Sequence, residues 1–389
     1  MFEKDEATLT SMGAQITTKE IMQQPDLWED TLKIYEDNLE AIQGFLAKAR
    51  ALGGARRTRV IFCGAGTSAY VGDTLVPYLR HVGDNESFEF APVATTDVVC
   101  APLDYVRPED PTVMVSFARS GNSPESMAAY ERVGQVAKDL LYLNVTCAPE
   151  GRLAQESKDD ERALTLLIPR ANDKGFAMTG SYSCMLLLSA LIFDQASIED
   201  KRAWVARAAK MGREVVAREP EVKAWLDRDF DRVTYLGSAS LSGLAREAQL
   251  KILELCAGRI ATSFDSSMGY RHGPKSFVND KTLVFDFVSN DPYTRQYDLD
   301  ILNEIKGDEI ALATVGIQQR TGSDFAGENF SFDGDVLLPE AYLALPYVMF
   351  AQTVAINASI KVGNTPDTPS PTGTVNRVVK GVTIHPFSL

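Results

Sequence analysis

The chain repeats one order of strand, turn and helix at an offset of about 170 residues, and this duplication restricts its fold more than any other feature. Strands that are apolar along nearly their whole length are typical of parallel sheets covered on both faces. The sequence therefore predicts an α/β protein with two duplicated, doubly wound domains, whose parallel sheets are flanked by helices. The repeated segments are RVIFCGAGTSAYVGDTLVPYLR, TVMVSFARSGNSPES and DLLYLNVTC in the first half, and 232–256, 282–305 and 308–317 in the second.

The predicted domain boundaries follow from this duplication. Residues 1–50 form an N-terminal helical arm, 51–210 the first domain, and 211–389 the second domain with a C-terminal tail. Apolar residues recur at spacings of three and four over 25–50, which predicts one amphipathic helix that packs as an arm or lid. The segment 362–378 is rich in Pro, Thr and Gly, and it predicts an extended, ordered loop.

Composition argues against several classes of protein. The formal net charge of −14 disfavours a nucleic-acid or anionic-membrane surface, because both need a basic patch to neutralise phosphates. The five cysteines are a scattered, odd set without a C-x-x-C pair, which favours reduced thiols in the cytoplasm over zinc or disulfide chemistry. The apolar run CMLLLSALIF is about half the length of a membrane span. We therefore expect a cytoplasmic protein that binds neither nucleic acid nor membrane.

Two hydroxyl-rich turns follow predicted strands of the first half. GAGTSA at 64–69 fits the G-x-G-x-x-A pattern of a dinucleotide-binding loop, but no acidic residue stands clearly at the end of the next strand, where a ribose ligand would be needed. SGNS at 120–123 follows the next major strand. Two such turns at one sheet edge supply the N–H groups and hydroxyls that suit a phosphate monoester. Helix capping by the serines is the alternative.

These segments resemble a known family. CGAGTSA and FARSGNSPES resemble the paired loops of the sugar isomerase (SIS) domain, and the duplication resembles the isomerase half of glucosamine-6-phosphate synthase. ITTKEIMQQPDLWEDTL, SGNSPES, FAMTGSYS and RHGP are similar to the AgaS-type group of galactosamine-6-phosphate deaminase/isomerases. The resemblance implies one phosphate site per chain, since VSNDPYTRQ in the second half lacks the Ser-Gly pattern. The residues implied in substrate and phosphate binding are Gly66, Thr67, Ser68, Arg119, Ser120, Gly121, Asn122, Ser123, Thr179 and Ser181.

A second set of residues has the chemistry of proton transfer. Glu247, Lys251 and Glu254 recur on one face of an otherwise apolar helix, which indicates either a surface Glu–Lys pair or a charged face that lines a cleft. MGYRHGPK contains His272, one of only three histidines, where Gly-Pro ends any helix. A carboxylate suits proton transfer between C1 and C2 of a sugar, and an imidazole suits ring opening. The resemblance implies Glu254 and His272 in these tasks and Lys380 at the enediolate oxygen, with Glu247 as the alternative base.

These residues and the resemblance predict an enzyme that converts galactosamine 6-phosphate to tagatose 6-phosphate and ammonia, without a metal or other cofactor. A tagatose-6-phosphate ketose/aldose isomerase is the alternative with the same catalytic pair. Two further alternatives are a non-catalytic sugar-phosphate sensor, which would normally carry a basic DNA-binding helix, and an NAD-linked dehydrogenase. The expected ligand is a phosphorylated amino sugar or ketose, and the resemblance implies a homodimer or higher homo-oligomer.

Overall fold

The computed structural model describes residues 1–379 and 381–389, and its contacts divide the chain into two compact units. The predicted domains 51–210 and 211–389 remain a prediction. The two compact units assign both ends of the chain differently from those predicted boundaries. The start of the chain belongs with the second sheet and the end of the chain with the first. The first-sheet unit comprises Leu27–Asp173, Gly180–Ile198 and Val375–Leu389, and the second-sheet unit comprises Met1–Asp26, Lys174–Thr179 and Glu199–Thr374.

Each unit contains one five-stranded parallel sheet, and the two sheets confirm the predicted duplication. The strands are β1 (Thr58–Gly64), β2 (Phe88–Ala94), β3 (Thr112–Ala118), β4 (Leu140–Thr146) and β5 (Ala163–Leu167) in the first-sheet unit, and β6 (Arg232–Gly237), β7 (Ala261–Asp265), β8 (Thr282–Phe287), β9 (Ala313–Gln319) and β10 (Glu328–Phe332) in the second-sheet unit. Their orders are β2-β1-β3-β4-β5 and β10-β9-β8-β6-β7, so both sheets have one topology read from opposite ends.

The sequence prediction found the inner strands of both sheets and missed all four edge strands. The inner strands β3, β4 and β8 are buried at every position, as a strand covered on both faces should be. The edge strand β2 mixes buried, half-buried and exposed positions, and β5 is half-buried at four of its five positions. No position of β7 is buried, and β10 is exposed at its start. An edge strand therefore lacks the continuous apolar run by which the inner strands were recognised.

Helices connect most of the successive strands, as the duplicated pattern predicts. The helices are α1 (Glu6–Ser11), α2 (Gln15–Met22), α3 (Gln24–Asp37), α4 (Leu39–Gly53), α5 (Thr67–Val82), α6 (Thr95–Cys100), α7 (Pro102–Tyr105), α8 (Pro124–Val136), α9 (Arg152–Glu156), α10 (Gly180–Phe193), α11 (Ile198–Ala217), α12 (Glu219–Leu226), α13 (Ser240–Leu255), α14 (Thr294–Gly307) and α15 (Glu340–Lys361). The helices that follow β1, β3, β6 and β8 are α5, α8, α13 and α14, so the helical patterns predicted after these strands are present.

The single helix predicted over 25–50 is wrong, because the structure divides this segment into α3 and α4 at Asn38. Asn38 has a φ of −109° and a ψ of 12°, outside the helical region. Trp28 on α3 is fully buried, and its indole N–H donates to the Ser183 hydroxyl at 2.9 Å within the first-sheet unit. This packing gives α3 a place in the core of that unit instead of the role of a lid.

Two apolar helices form cores. Every residue of α10 is buried in the first-sheet unit. In the second-sheet unit, α15 is long and apolar enough to cross a membrane by length and composition, but 89% of its apolar window is buried inside the protein. The sequence analysis recognised the apolar run of α10 and overlooked that of α15. Both helices are apolar on all sides because they are surrounded by protein.

The chain after α15 contains turns but no helix or strand among its described residues. Within the second-sheet unit, the Asp367 carboxylate accepts hydrogen bonds from the Ile16 and Thr17 amides at 3.0 and 2.8 Å. Within the first-sheet unit, Arg132 donates to the His385 carbonyl at 2.8 Å, and its guanidinium lies 5.7 Å from the Phe387 ring centre. The predicted extended loop is therefore tied down by specific contacts.

Candidate functional site

The first hydroxyl-rich turn joins the carboxyl end of β1 to the start of α5. Gly64 ends the strand, and a Cβ placed on it would lie 2.3 Å from the Ser68 carbonyl, so only glycine fits there. Gly66 has a φ of 55°, the left-handed region that glycine tolerates best. Thr67 and Ser68 follow in the first turn of α5 and are largely buried. The three predicted residues of this turn thus lie together at a helix N-terminus, where backbone N–H groups favour anions.

The second turn joins the carboxyl end of β3 to α8, and Gly121 gives it a φ of 65°. The Ser123 hydroxyl is the N-cap of α8 and accepts from the Ser126 amide at 3.3 Å, so the capping interpretation is realised. The Ser123 and Ser126 hydroxyls also lie 2.6 Å apart, in a hydrogen bond that either can donate; when Ser126 donates, the Ser123 O–H is left to donate to a ligand. Capping and phosphate binding are therefore compatible at Ser123. Because β1 and β3 are neighbours in the sheet, both turns emerge at the same edge.

Two other predicted residues of this turn also have partners. Ser120 accepts from the Asn122 amide at 3.3 Å, and the Asn122 side-chain oxygen accepts from the Arg152 amide at 3.0 Å. These bonds fix the turn within the first-sheet unit. Asn122 is exposed and Ser120 half-buried, so both are accessible on the surface of this unit.

Arg119 is held by the C-terminal segment. Its side chain is largely buried, and its Nη2 atom donates to the Arg377 carbonyl at 2.8 Å. Arg377 in turn donates to the Asp173 carbonyl. The sequence offered no signal for this contact, because the two arginines are 258 positions apart. Lys380, the lysine predicted at the enediolate oxygen, lies outside the described residues.

The predicted binding role of Ser181 does not fit its contacts. Ser181 is fully buried at the start of α10, and its hydroxyl donates to the Asp173 carboxylate at 2.5 Å. The same carboxylate accepts from the amides of Ser181 and Gly180 at 2.9 and 3.2 Å, so Asp173 caps this helix. In the structure the Ser181 hydroxyl is therefore engaged by the capping carboxylate of Asp173. Thr179 belongs to the second-sheet unit and is buried there.

The three charged residues on α13 form one cluster inside the second-sheet unit. The Lys251 ammonium lies 2.7 Å from Glu254 Oε2 and 3.3 Å from Glu247 Oε1. Burial acts to lower the pKa of Lys251, but the two carboxylates outweigh it and raise that pKa above its usual value. The surface-pair interpretation is wrong for Glu247 and Lys251, which are fully buried. Only the Glu254 side chain, 24% exposed, can be reached from outside this unit.

His272 lies in an irregular segment, as its Gly-Pro neighbours predict. A 3₁₀ turn at Gly269–Arg271 ends at His272, and Gly273 follows with a φ of 119°. The buried Tyr270 shares a hydrogen bond of 3.2 Å with the Thr234 hydroxyl, which anchors the segment to β6. The His272 side chain itself is exposed, and within the described residues no hydrogen bond to its ring is formed.

The described residues contain no group of three or more His, Cys, Asp or Glu side chains that is arranged to hold a metal ion. One buried acidic group that the sequence analysis missed lies at the carboxyl edge of the second sheet. It consists of Asp286 on β8 and Asp298 on α14, with serine hydroxyls around them. Burial is the main reason that the pKa values of both carboxyls are raised, to about 6 for Asp298.

Two parallel sheets of one topology, with paired hydroxyl-rich turns at the carboxyl edge of the first, define the class of duplicated SIS-type proteins. Comparison with known proteins narrows this class. No protein-family model matches the chain. D-galactosamine-6-phosphate deaminase AgaS of Escherichia coli is 41% identical over 385 residues, which cover 95% of this chain and 96% of that protein.

Two solved structures agree with this match. Tagatose-6-phosphate ketose/aldose isomerase from Escherichia coli is 36% identical, has a TM-score of 0.87, and is covered over 99% of each chain. A protein of Clostridium novyi NT is 38% identical with a TM-score of 0.93, over 100% of this chain and 99% of that one. The chain belongs to the AgaS family.

Proposed function

We propose that this chain is a D-galactosamine-6-phosphate deaminase that forms tagatose 6-phosphate and ammonia. The name of its Escherichia coli relative, which matches nearly the whole chain, supports this substrate. The observation that carries the proposal is the position of Glu254. Its carboxylate contacts the buried Lys251 ammonium at 2.7 Å, and it is the only member of the α13 cluster whose side chain is partly exposed. A carboxylate that lies beside an ammonium and remains partly accessible is suited to act as a base.

We assign binding of the substrate phosphate to the first-sheet unit. The hydroxyls of Ser68, Ser120 and Ser123 and the N–H groups of their turns are the proposed donors. Arg119 lies directly before Ser120, and its positive charge favours an anion there. The close approach at Gly64 and the positive φ at Gly66 and Gly121 bring backbone, with little side chain, to the edge of the sheet.

We assign the proton transfers to the second-sheet unit. His272 opens the pyranose ring by proton transfer at the ring oxygen and at O1. Glu254 then removes the proton from C2, which yields an enolamine with a C1–C2 double bond, and returns a proton to C1. The product of this step is a ketimine at C2 with a hydroxymethyl group at C1.

Water completes the proposed reaction. It adds to the ketimine carbon, the C–N bond breaks, and ammonia leaves with the protons needed for balance, so the sugar becomes tagatose 6-phosphate. One water is consumed and no oxidant or reductant is needed. Lys380 is proposed to stabilise the negative oxygen of the enolised intermediate, on the family resemblance alone.

Ammonia release from a panel of phosphorylated sugars tests this function directly. The panel contains the 6-phosphates of galactosamine, glucosamine and their N-acetylated forms, with Glu254→Gln as the matched control protein. We expect ammonia from galactosamine 6-phosphate with the wild-type chain and little with the variant. Absence of ammonia from every member of the panel would contradict the proposal.

Simple ketose/aldose isomerisation of tagatose 6-phosphate is the second candidate. It is favoured by the name of the Escherichia coli protein of known structure that is 36% identical. The same base and ring-opening group would serve it, because both reactions move one proton between C1 and C2. Formation of an aldose from tagatose 6-phosphate, in a sample that releases no ammonia from any amino sugar, would favour this candidate.

We further propose that the chain works in the cytoplasm as a homodimer or higher homo-oligomer. All five cysteines are free, and four of them are buried, which fits a reducing compartment. The edge strand β7 and its surroundings expose the apolar side chains of Leu253, Phe264 and Met268. An exposed apolar edge strand is a natural pairing surface for a second copy. Light scattering of the wild-type chain and of Phe264→Asp tests this, with the larger species expected only in the wild type.

A further inference from the structure

One buried carboxylate joins three turns of the second-sheet unit. Asp298, on α14, is fully buried. Its Oδ1 atom accepts from the hydroxyls of Ser238 and Ser267 at 2.5 and 2.6 Å, and its Oδ2 atom accepts from the Ser289 amide at 2.9 Å. Three donors converge on one side chain, as they would on a bound anion.

The three serines follow three neighbouring strands. Ser238 comes directly after β6, Ser267 two residues after β7, and Ser289 two residues after β8. Because β8, β6 and β7 are adjacent in the sheet, Asp298 connects the carboxyl ends of all three. In an open α/β sheet this edge is where ligands bind. The second sheet therefore carries a side chain of its own at the place where a ligand would lie.

The first-sheet unit differs at the corresponding position. Asp298 is the fifth residue of α14, the helix that follows β8, and the fifth residue of α8, the helix that follows β3, is Ala128. Alanine has no group that could satisfy the donors of the neighbouring turns. The first sheet thus keeps its hydroxyl-rich edge for an external anion, whereas the second sheet provides an internal one.

The same contact fixes the segment that carries His272. Ser267 directly precedes Met268 and the 3₁₀ turn at Gly269–Arg271, which ends at His272. Besides the Tyr270 anchor, the Gly269 amide donates to the Ser266 hydroxyl at 3.0 Å. Asp298 therefore holds the start of the His272 segment, and Tyr270 holds its middle.

We propose that Asp298 is a positioning residue that replaces a phosphate in the second half of the duplication and, through Ser267, holds the His272 segment in its working geometry. The role in catalysis rests on the proposed function of His272. The role of the Asp298 carboxylate as an internal anion, in the place of a phosphate, does not depend on which substrate the protein uses. Asp298 is fully buried and bonds Ser267, five residues before His272 in the chain, so it acts on the reaction only through the segment between them.

The test compares Asp298→Ala with Asp286→Asn. Asp286 is equally buried in the same group but makes a single long contact, 3.4 Å to the Ser267 hydroxyl, which an amide oxygen retains. The first readout is the NMR signal of isotope-labelled histidine, which has only three sources in this chain: His81, His272 and His385. The His272 signal is identified by its loss in His272→Gln. We expect Asp298→Ala to shift or broaden this signal alone, and Asp286→Asn to leave all three unchanged.

The second readout is kinetic. For the substrate that releases ammonia, Asp298→Ala should lower kcat by about 10²-fold with little change in KM, because small displacements of an acid–base group cost rate and not phosphate binding. Acetate or formate, small enough to enter the vacated position, should partly restore kcat in Asp298→Ala and have no effect on the wild type. An unmoved His272 signal in a folded Asp298→Ala protein would overturn the proposal.

Ser267→Ala covers the case in which Asp298→Ala does not fold. It removes only the hydroxyl that links Asp298 to the loop, and we expect the same change of the His272 signal at smaller size. An unchanged signal in Ser267→Ala also overturns the proposal. The NMR measurement needs no substrate, so a wild-type chain without deaminase activity would contradict the proposed function while leaving the test of Asp298 intact.

Discussion

The turns that follow β1 and β6 have the same backbone geometry but different residues at the critical position. Gly66 has φ and ψ of 55° and −129°, and Ala239 has 50° and −119°. This region is nearly closed to residues with a Cβ, so Ala239 is strained where Gly66 is not. The comparison shows that the duplicated fold demands the turn itself, while the side chains placed on it are free to diverge.

The side chains diverge toward different tasks. The first sheet presents serines and glycines at its carboxyl edge, next to Ala128 in the fifth position of α8. The second sheet has filled its edge with Asp298 and carries Glu254 and His272 on the elements that follow β6 and β7. We infer that the first half provides affinity for the phosphate and the second half provides the chemistry. The following five predictions test this comparison of the two halves.

The largest effect is expected from Glu254→Gln. If the second half does the chemistry, kcat should fall by about 10²–10⁴-fold while KM changes little, since one general acid–base group is lost. Exchange of solvent deuterium into C2 is the direct measurement, because it reports proton removal apart from product release. Glu247→Gln is the matched control on the same helix. Persisting exchange in Glu254→Gln would mean that another base, with Glu247 as the first candidate, does the work.

His272→Ala should have a milder effect than Glu254→Gln. Ring opening also occurs slowly without an enzyme, so this variant should retain turnover of the open-chain fraction of the substrate.

The next effect is expected from Ala128→Asp, which gives the first half the internal anion of the second. A carboxylate there would repel the phosphate and accept hydrogen bonds from the turn, so KM should rise by more than about tenfold with kcat nearly unchanged. Ala128→Asn has the same size without the charge and serves as the control. Equal KM values for the two variants would show that position 128 of the first half and position 298 of the second half are not functionally equivalent.

A smaller effect is expected from exchanging the residues of the strained turns. Ala239→Gly should stabilise the protein and Gly66→Ala should destabilise it, each by about 1–3 kcal/mol, because glycine adopts this backbone conformation without the strain that a Cβ introduces. A Cβ on Gly66 would meet no atom within 4 Å, so the loss would come from the backbone alone. Urea unfolding of both variants measures the difference. If Ala239→Gly leaves the free energy of unfolding unchanged, the turn of the second half is not strained.

The smallest effect is expected from Asp286→Asn and depends on pH. Burial and the nearby Asp298 raise the pKa of Asp286 in the folded state, so stability present below the ordinary pKa of an Asp is lost as the pH rises toward the folded value. Asparagine does not ionise, so the variant does not lose stability in this way as the pH rises. The thermal midpoint of Asp286→Asn should therefore equal that of the wild type near pH 4 and exceed it increasingly toward pH 8, by about 2–4 °C.

The titratable groups that face Asp286 are Asp298 on α14 and Tyr347 on α15; Glu340 on α15 acts on Asp298, and Arg295 on α14 acts on Tyr347. Asp298 shifts in the same direction, so it reinforces the trend in the wild type. A midpoint difference that stays constant between pH 4 and pH 8 would contradict the raised pKa of Asp286.

Several features of the protein were determined by local sequence alone. The inner strands, the glycine and serine turns and the spacing of Glu247, Lys251 and Glu254 all depend on neighbours within a few residues, and the structure contains each of them. A buried parallel strand must be apolar throughout, and a tight turn must contain glycine, so both leave a pattern that can be read without the fold.

Tertiary structure alone decided the remaining features. The edge strands form because an inner strand offers them a partner. Through Trp28, α3 packs in a core that the sequence does not display. Arg119 and Arg377 meet across 258 positions, and Asp298 reaches Ser238 across 60. Such contacts depend on how the whole chain folds. Local periodicity carries no information about which distant residues the fold brings together.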